Sequence, residues 1–256
     1  MVITQKDGPI ATLIINRLER LNTLNRELVF ALAKSIEEVS RDNAIRVMII
    51  TGQGNRAFIG GVDLHEFLEF GPAEAEEFIT SLHKCILSIR QSEKIVIASI
   101  NGYVLGGGLE LAACCDLRVA ADTAKFGMPE VKVGVPSVIE AAYLPRLIGI
   151  GRTAELVLTG DMIDAPEAER IGLVNKVVPP AQLKETTRKM AEKLLENGPA
   201  AMVLQKRLMT KWTELNLVDS IQAGIKIFRE AFHTPEPREG SSAFLEKRKP
   251  NYQKRK

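Results

Sequence analysis

The pattern of hydrophobic and polar positions predicts alternating strands and helices as far as Val178. Segments 26–41 and 73–91 repeat apolar residues every three or four positions, which is the spacing of an amphipathic helix. Short runs rich in β-branched residues predict strands at 10–15, 46–51, 95–100, 117–120 and 173–178. Because strands and helices alternate, the fold class is α/β, and periodicity alone favours a doubly wound parallel sheet.

The character of the chain changes after Val178, where Pro179-Pro180 interrupts the pattern. The rest of the chain is almost wholly helical in pattern. The predicted helices are residues 181–197, 200–213 and 218–232, with a break at Gly198-Pro199. We therefore divide the chain into a core with the candidate site, residues 1–198, and a helical C-terminal region, residues 199–256.

Composition and charge narrow the class of protein. Of the 256 residues, 45% are hydrophobic and 26% are charged, which is ordinary for a globular protein. A formal net charge of +2 argues against a dedicated nucleic-acid-binding protein and still allows a local phosphate-binding patch. No apolar run approaches the roughly 20 residues needed to span a bilayer, so we expect no membrane partner.

The cysteines and the N-terminal residues indicate in which cellular compartment the protein is expected. Cys85, Cys114 and Cys115 are an odd number with two adjacent, which does not resemble a disulfide framework, and we interpret them as small buried thiols. Neither paired cysteines nor paired histidines have the spacing of a metal site. The N-terminal residues lack the pattern of a signal peptide, so we expect a cytoplasmic protein, with a separately cleaved organelle leader left open.

The segment from residue 95 to residue 136 carries the candidate chemistry. The apolar strand 95–100 is followed by an Asn-Gly turn, three glycines at 106–108 and small apolar residues suited to a helix. Glycines let a ligand approach the main chain, and the first amides of a helix lack internal partners. Because Glu110 and Glu130 stand among these residues, the segment predicts an acid/base site beside backbone donors for a negative oxygen.

The motifs of this segment, taken in order, resemble the crotonase superfamily, which is the enoyl-CoA hydratase/isomerase family. They are Asn101-Gly102, Gly106-Gly107-Gly108-Leu109-Glu110-Leu111, Cys115-Asp116 and Phe126-Gly127-Met128-Pro129-Glu130. Similar segments lie at 57–64, 158–160, 172–175 and 239–248, so the resemblance covers essentially the whole chain.

The resemblance implies a more specific fold than the periodicity does. We expect a crotonase-like spiral, in which ββα turns stack into two roughly perpendicular sheets. The helical C-terminal region is expected to pack subunits into a homotrimer or a dimer of trimers. We follow the resemblance on this point.

For the site, the resemblance implies that the backbone amides of Val62 and Gly107 bind the thioester oxygen as it becomes negative. A side chain at position 107 is expected to block the thioester. The resemblance also makes Glu110 and Glu130 the catalytic residues. Our hypothesis is that Glu110 positions and activates water while Glu130 delivers a proton to the α-carbon. Taken singly, each feature has a structural interpretation: packing for the glycines, a helix-start carboxylate for Glu110 and a solvated loop residue for Glu130.

The implied partner is an acyl-CoA thioester, and because coenzyme A is part of this substrate we expect no separate cofactor. Arg56, Phe244, Lys247 and the main chain around Leu21 are expected near the nucleotide, with Phe244 and Lys247 reaching it from a neighbouring subunit. The other positions expected against the substrate are Ile59, Gly60, Asp63, Leu64, Gly106 and Pro129. We interpret the basic end, residues 247–256, as a solvated tail, with help in binding a phosphorylated ligand as the alternative.

The segment after Pro136 departs from the family pattern. Most hydratases continue with a glycine-rich segment that ends in Gly-Gly-Thr, whereas this chain has Ser137-Val138-Ile139-Glu140-Ala141. In the family this segment lies beside the acyl pocket, so the change argues against simple straight-chain substrates. Glu140 is a third acid, which we interpret as a surface helix residue, with a position facing the pocket as the alternative.

Retention of both glutamates favours an enoyl-CoA hydratase, which adds water across the 2,3-double bond. The alternatives are an isomerase, a hydrolase or another acyl-CoA reaction, or a non-catalytic homologue that binds coenzyme A or RNA. Residues 52–57 fit a dinucleotide-binding fingerprint formally, but no helix pattern follows them. The histidines are dispersed and no Gly-x-Ser-x-Gly segment exists, which argues against a serine hydrolase.

Overall fold

The computed structural model describes residues 1–252, and within them strands and helices alternate as far as the tenth strand. The strands are β1 (Val2–Asp7), β2 (Ile10–Ile15), β3 (Val47–Gly52), β4 (Ala57–Ile59), β5 (Ile95–Ile100), β6 (Tyr103–Leu105), β7 (Leu117–Ala121), β8 (Lys125–Gly127), β9 (Ile163–Asp164) and β10 (Lys176–Val178). The helices are α1 (Arg26–Arg41), α2 (Leu64–Phe67), α3 (Pro72–Gln91), α4 (Gly107–Cys114), α5 (Leu144–Thr159), α6 (Ala165–Arg170), α7 (Pro180–Leu195), α8 (Pro199–Glu214), α9 (Leu217–Ala231) and α10 (Glu236–Leu245). Short 3-10 helices form at Leu18–Arg20, Pro129–Val133 and Ile139–Tyr143.

The strands form two sheets. The larger sheet has the order β1-β2-β3-β5-β7-β10 and is parallel except for the antiparallel pair β1-β2. The smaller sheet has the order β4-β6-β8-β9, with β8 and β9 antiparallel. The single doubly wound sheet favoured by periodicity alone is therefore wrong, because the short strands pair with one another in a sheet of their own.

The central strands are mostly apolar, as is typical when both faces of a sheet are covered. Met48, Ile50, Val96 and Ala98 face the main core, which includes the buried sides of α1 and α3. The alternate positions of the same strands, such as Ile49 and Ile97, pack instead against α7. The main core continues into the smaller sheet and α4. The elements that carry the candidate site are therefore well packed in the core.

The sequence-predicted boundaries hold to within a few residues, and the exceptions have local causes. Helix α1 has the predicted bounds, whereas α7 and α8 begin one residue early, at Pro180 and Pro199. Proline fits the first helical turn because the amide that it lacks would have no helical partner. The last strand is half the predicted length, since the amides of Leu173 and Val174 donate to the carbonyl of Ala168 in a turn after α6.

The C-terminal helices are joined to the core by a buried lysine. Lys206 on α8 donates to the carbonyls of Ile89 and Lys94 at 3.0 and 2.7 Å, and it forms an ion pair with Asp116 at 2.8 Å. Within the described residues, no helix combines the length and apolar character that crossing a membrane requires. Of the basic end predicted as a tail, residues 253–256 lie outside the described residues.

Replacing Gly108 by Ala should destabilise the protein, because the added Cβ would lie 2.6 Å from Ile59 Cβ and 2.7 Å from the Ile59 carbonyl oxygen. We expect a loss of about 1–3 kcal/mol, typical of overpacking against backbone. Urea unfolding measures this loss. The matched control is Gly151→Ala on α5, where no atom lies within 4 Å and no loss is expected. Equal stability of the two variants would contradict the close packing of α4 on β4.

Candidate active site

Glycines shape the junction between β6 and α4. Gly106 has a φ of +50°, which favours glycine, and a Cβ there would lie 2.5 Å from Glu130 Oε1. A Cβ on Gly107 would lie 3.0 Å from Leu82 Cδ2 and 3.2 Å from Leu24 Cδ1. Glycine at 106 therefore allows a carboxylate to approach the main chain, and glycine at 107 avoids crowding of apolar side chains.

Two backbone amides at the junction are available to a ligand. Leu24 and Val62 form a parallel bridge whose hydrogen bonds run from Leu24 N–H to Gly61 and from Asp63 N–H to Leu24, which leaves Val62 N–H unused. Gly107 is the first residue of α4, so its amide has no helical partner. Neither amide donates to any of residues 1–252. The pair has the donor chemistry of an oxyanion site.

Glu110 lies in the first turn of α4 and is buried. Its Oε1 accepts a hydrogen bond from the Ala141 amide at 3.0 Å. Burial raises the pKa of Glu110 from its ordinary value of 4.5 to about 8, with the negative charges of Glu130 and Glu140 adding to the increase and the Ala141 amide opposing it. Glu110 therefore holds its proton at neutral pH when the site contains no ligand.

Glu130 approaches the same junction from the opposite wall. It follows Pro129 in a 3-10 helix and is half-buried. The Ser137 hydroxyl donates to Glu130 Oε2 at 2.8 Å, while Oε1 faces Gly106. This hydrogen bond fixes the orientation of the Glu130 carboxyl group, which is less buried than that of Glu110.

Both glutamates and both free amides line one cavity of about 490 Å³. Its walls are mostly apolar, which is the usual character of a small-molecule pocket. The sequence-predicted residues that line it are Gly60, Val62, Leu64, Gly106, Gly107, Glu110, Pro129 and Glu130. The structure thus brings together the acid/base pair and the amide donors that the sequence analysis selected.

Three of the predicted substrate contacts lie outside the cavity lining, behind or beside it. Ile59 is fully buried beneath Gly108. Asp63 is buried, forms an ion pair with Arg17 and accepts from the His65 amide at the start of α2. The carbonyl of Leu21 accepts a hydrogen bond from the Gly60 amide. All three support the loop that presents the Val62 amide.

The other predicted contacts outside the lining lie on the surface. Arg56 is exposed, and its carbonyl accepts from Tyr103 at the start of β6. Phe244 and Lys247 near the end of α10 are exposed as well, with 84% of Phe244 accessible. These positions were assigned to the nucleotide end of coenzyme A, so they remain predictions.

The interpretation of Glu140 as a surface residue is wrong. Glu140 is buried in the 3-10 helix Ile139–Tyr143, where its Oε1 bonds to His83 Nδ1 at 2.6 Å. The turn packs against α3 and α4, and this packing covers the Glu140 carboxyl group. Glu140 does not line the cavity either, but it lies close enough to Glu110 to affect its pKa.

Sequence reasoning missed the aromatic wall of the cavity. Phe67, Phe70 and Phe78 line it, with ring centroids 5.7 and 5.4 Å apart along the series, and Arg26 stacks over Phe70 at 4.7 Å. Phe78 belongs to the apolar face predicted for 73–91, but that pattern does not separate core from ligand contact. The three cysteines are buried and unpaired, as predicted, and no metal-ligand cluster occurs among residues 1–252.

Comparison with known proteins relates the chain to one family. The model of the enoyl-CoA hydratase/isomerase family matches residues 5–255. A crotonyl-CoA hydratase of Syntrophomonas wolfei is 40% identical over 98% of this chain and 97% of its own length. A short-chain-enoyl-CoA hydratase of Clostridium acetobutylicum is 37% identical, over 97% of this chain and 95% of its own.

The fold has the same relatives. The crystal structure of an enoyl-CoA hydratase from Bacillus anthracis superposes with a TM-score of 0.94 at 33% identity, covering 98% of each chain. The predicted crotonase-like architecture, including the C-terminal helices, is therefore confirmed, as is the resemblance read from the motifs.

Replacing Glu110 by Gln should flatten the pH dependence of stability between pH 4.5 and pH 8. The folded protein keeps the Glu110 proton to higher pH than the unfolded chain, so this stability is complete below pH 4.5 and is lost as the pH rises through about 8. Each unit of pKa difference corresponds to about 1.4 kcal/mol. Urea unfolding across this range measures the effect.

The matched control for this experiment is Glu155→Gln, since Glu155 is exposed on α5. This variant should follow the wild type at every pH. If Glu110→Gln also follows the wild type, then Glu110 is not buried as a neutral acid.

Proposed function

The chain belongs to the enoyl-CoA hydratase/isomerase family, and we propose that it works as an enoyl-CoA hydratase, which adds water across the 2,3-double bond of an enoyl-CoA thioester. The observation that carries the proposal is a single apolar cavity in which two unpartnered amides meet two carboxylates. An enzyme that only moves a double bond needs mainly one acid/base group, whereas addition of water uses two. The relatives named above favour the same reaction.

The Val62 and Gly107 amides would bind the thioester oxygen. When water adds to C3, negative charge moves through the conjugated system to this oxygen and gives an enolate. Two fixed N–H donors stabilise that charge without reorganising, typically by ~3–4 kcal/mol for each donor. Because the cavity walls are apolar, these hydrogen bonds are stronger than they would be in bulk water.

Glu110 and Glu130 would divide the proton transfers. One carboxylate removes a proton from the attacking water while the other carboxyl group gives a proton to C2, so that one water is added overall. We propose Glu110 as the residue that activates water and Glu130 as the proton donor, with the roles exchanging when the reaction runs backwards. This assignment requires Glu110 in its ionised form.

The acyl group is proposed to be an apolar hydrocarbon. Phe67, Phe70 and Phe78 form one wall of the cavity, and Val138, which also lines it, belongs to the segment that departs from the family pattern. The cavity volume of about 490 Å³ lies in the usual range for small-molecule pockets and leaves more room than a four-carbon crotonyl group requires. Longer or branched chains should therefore enter as well. Coenzyme A arrives with the substrate, and we propose that the reaction needs no separate cofactor.

Replacing either Glu110 or Glu130 by Gln should lower kcat for hydration of crotonyl-CoA by about 10²–10⁴-fold, because each variant lacks one proton-transfer group. Loss of the conjugated thioester absorbance, measured in chelator-treated buffer, gives the rate. Mass spectrometry of the product must show the gain of one water. The control Glu155→Gln should keep wild-type turnover.

Normal hydration by either glutamine variant would refute the assignment of these residues, and a shifted double bond without uptake of water would assign isomerase activity instead. The pH profile tests which glutamate is the base and which is the proton donor, since the pH dependence of kcat/KM reports the pKa values of these groups in the free enzyme. With Glu110 as the base, kcat/KM rises with pH up to about 8. A fall over that range would make Glu110 the proton donor and Glu130 the base.

We also propose a homotrimer or a dimer of trimers, in which Phe244 and Lys247 reach the nucleotide bound by a neighbour. The support is an apolar stripe along α9, made of exposed Val218, Ile221, Ile225, Phe228 and Phe232. These residues recur every three or four positions and so share one helix face. Contiguous exposed apolar surface of this kind marks interaction sites.

Replacing Ile225 by Asp should reduce the assembly to smaller species, because a carboxylate would be buried unpaired in the contact. Light scattering coupled to size-exclusion chromatography gives the mass. The control is Lys226→Asp, an exposed neighbour outside the stripe, which should leave the mass unchanged. A monomeric wild type would contradict the proposal.

A further inference from the structure

The turn that holds Glu110 contains a strained residue. Ile139 has a φ of +35°, and a β-branched side chain rarely adopts this region. Such backbone persists only where neighbouring contacts fix it, and it is concentrated at functional sites. Two residues later, the Ala141 amide donates to Glu110 Oε1. The conformation of this turn therefore determines whether Glu110 keeps its backbone donor.

A hydrogen bond to a buried carboxyl group anchors the turn next to the strained residue. Glu140 is 2% exposed, and its Oε1 is hydrogen-bonded to His83 Nδ1 at 2.6 Å. The other oxygen, Oε2, is buried and has no hydrogen-bond partner among residues 1–252. Within this part of the chain, His83 is the one side chain that bonds to the carboxylate. Burial raises the pKa of Glu140 and the His83 hydrogen bond opposes that increase, so loss of His83 would favour protonation of Glu140 or its movement towards solvent, and either change would release this anchor of the turn.

The far end of the turn is held by the same helix. Arg90, two turns beyond His83 on α3, lies over the Tyr143 ring at 4.0 Å. Helix α3 thus contacts the turn at Glu140 and at Tyr143, on either side of Ala141. Movement at either contact would shift the Ala141 amide relative to Glu110 on α4.

We propose that His83 and Glu140 form a positioning pair, which holds the strained turn at Ile139 so that the Ala141 amide stays bonded to Glu110. Neither residue lines the cavity, so both act through Glu110 rather than on the substrate. The consequence for turnover rests on the proposed hydratase function. The geometry of the turn is independent of that function.

The pair also places a charge near the active carboxyl group. An ionised Glu140 opposes ionisation of Glu110, whereas the hydrogen bond from Ala141 favours it. The titratable and charged groups that face Glu140 are His83, Cys85 and Arg90 from α3, Glu110 and Cys114 from α4, and Tyr143 from its own turn. Glu130 and Cys114 are the other groups coupled to Glu110.

Replacing His83 by Leu should lower kcat by about tenfold to a hundredfold while KM for crotonyl-CoA stays near its wild-type value. The amides of Val62 and Gly107 and the aromatic wall belong to other segments, so binding is retained. His83→Gln keeps an N–H donor and should preserve most of kcat. The control His233→Leu changes an exposed histidine and should have no effect.

A second variant separates positioning from general damage. Glycine adopts a φ of +35° without strain, so His83→Leu combined with Ile139→Gly should recover most of the lost kcat. A role limited to stability would give the opposite pattern, in which the double variant is no more active than His83→Leu. An unchanged kcat in His83→Leu would overturn the proposal outright.

The pH profile gives a third readout. Glu140→Gln keeps an oxygen that accepts from His83 but removes the negative charge. The pKa of Glu110 should fall, because the charge of Glu140 raises it in the wild type. The part of the kcat/KM profile in which Glu110 titrates should therefore move to lower pH. An unshifted profile would show that Glu140 does not act on Glu110 through its charge and would contradict the electrostatic part of the proposal.

Crystal structures of His83→Leu and His83→Gln test the pair without any assay. We expect the 3.0 Å distance between Ala141 N and Glu110 Oε1 to be kept in His83→Gln and lost in His83→Leu. An intact hydrogen bond in His83→Leu would refute the positioning pair even in an active enzyme. A wild type that hydrates no enoyl-CoA would refute the proposed function and leave this structural comparison decisive for the pair.

Discussion

The arrangement of the site depends on the close approach of Glu130 to the main chain at Gly106. The left-handed backbone there and the missing side chain together admit a carboxylate where any Cβ would exclude it. The same junction begins α4, which exposes the Gly107 amide and places Glu110 one turn later on the helix. One constraint on backbone geometry therefore sets both the oxyanion donor and the spacing of the two acids.

The two carboxyl groups differ because the protein surrounds them differently. Glu110 is enclosed by the core and receives one backbone amide, so its neutral form is favoured. Glu130 keeps partial access to solvent and accepts a hydroxyl hydrogen bond from Ser137. Because its neutral form is favoured in the empty site, Glu110 must lose its proton before it can activate water.

Much of this arrangement could be predicted from the sequence, because its determinants are local. The glycine run, Glu110 and Glu130 lie within one segment of strand, turn and helix, and the motifs order them. The unpartnered amide of Val62 could be assigned only through the resemblance, since the bridge to Leu24 brings together distant residues. The fate of Glu140 could not be predicted, because its burial depends on α3 covering a turn that is 57 residues away from His83 along the chain. The aromatic wall could not be predicted for a similar reason, since the apolar face of a helix has the same sequence pattern whether it contacts the core or a ligand.

Lys206 has a consequence for how the molecule can be divided. Its ammonium group bonds to two carbonyls at the end of α3 and the start of β5, and to Asp116 before β7. A fragment that stops at residue 198 would lose this cation and leave those acceptors, and the Asp116 carboxylate, without their main partner. The boundary that the sequence pattern predicts at residue 198 is therefore not a place to cut, and any chimera that exchanges the last helices must bring an equivalent lysine with them.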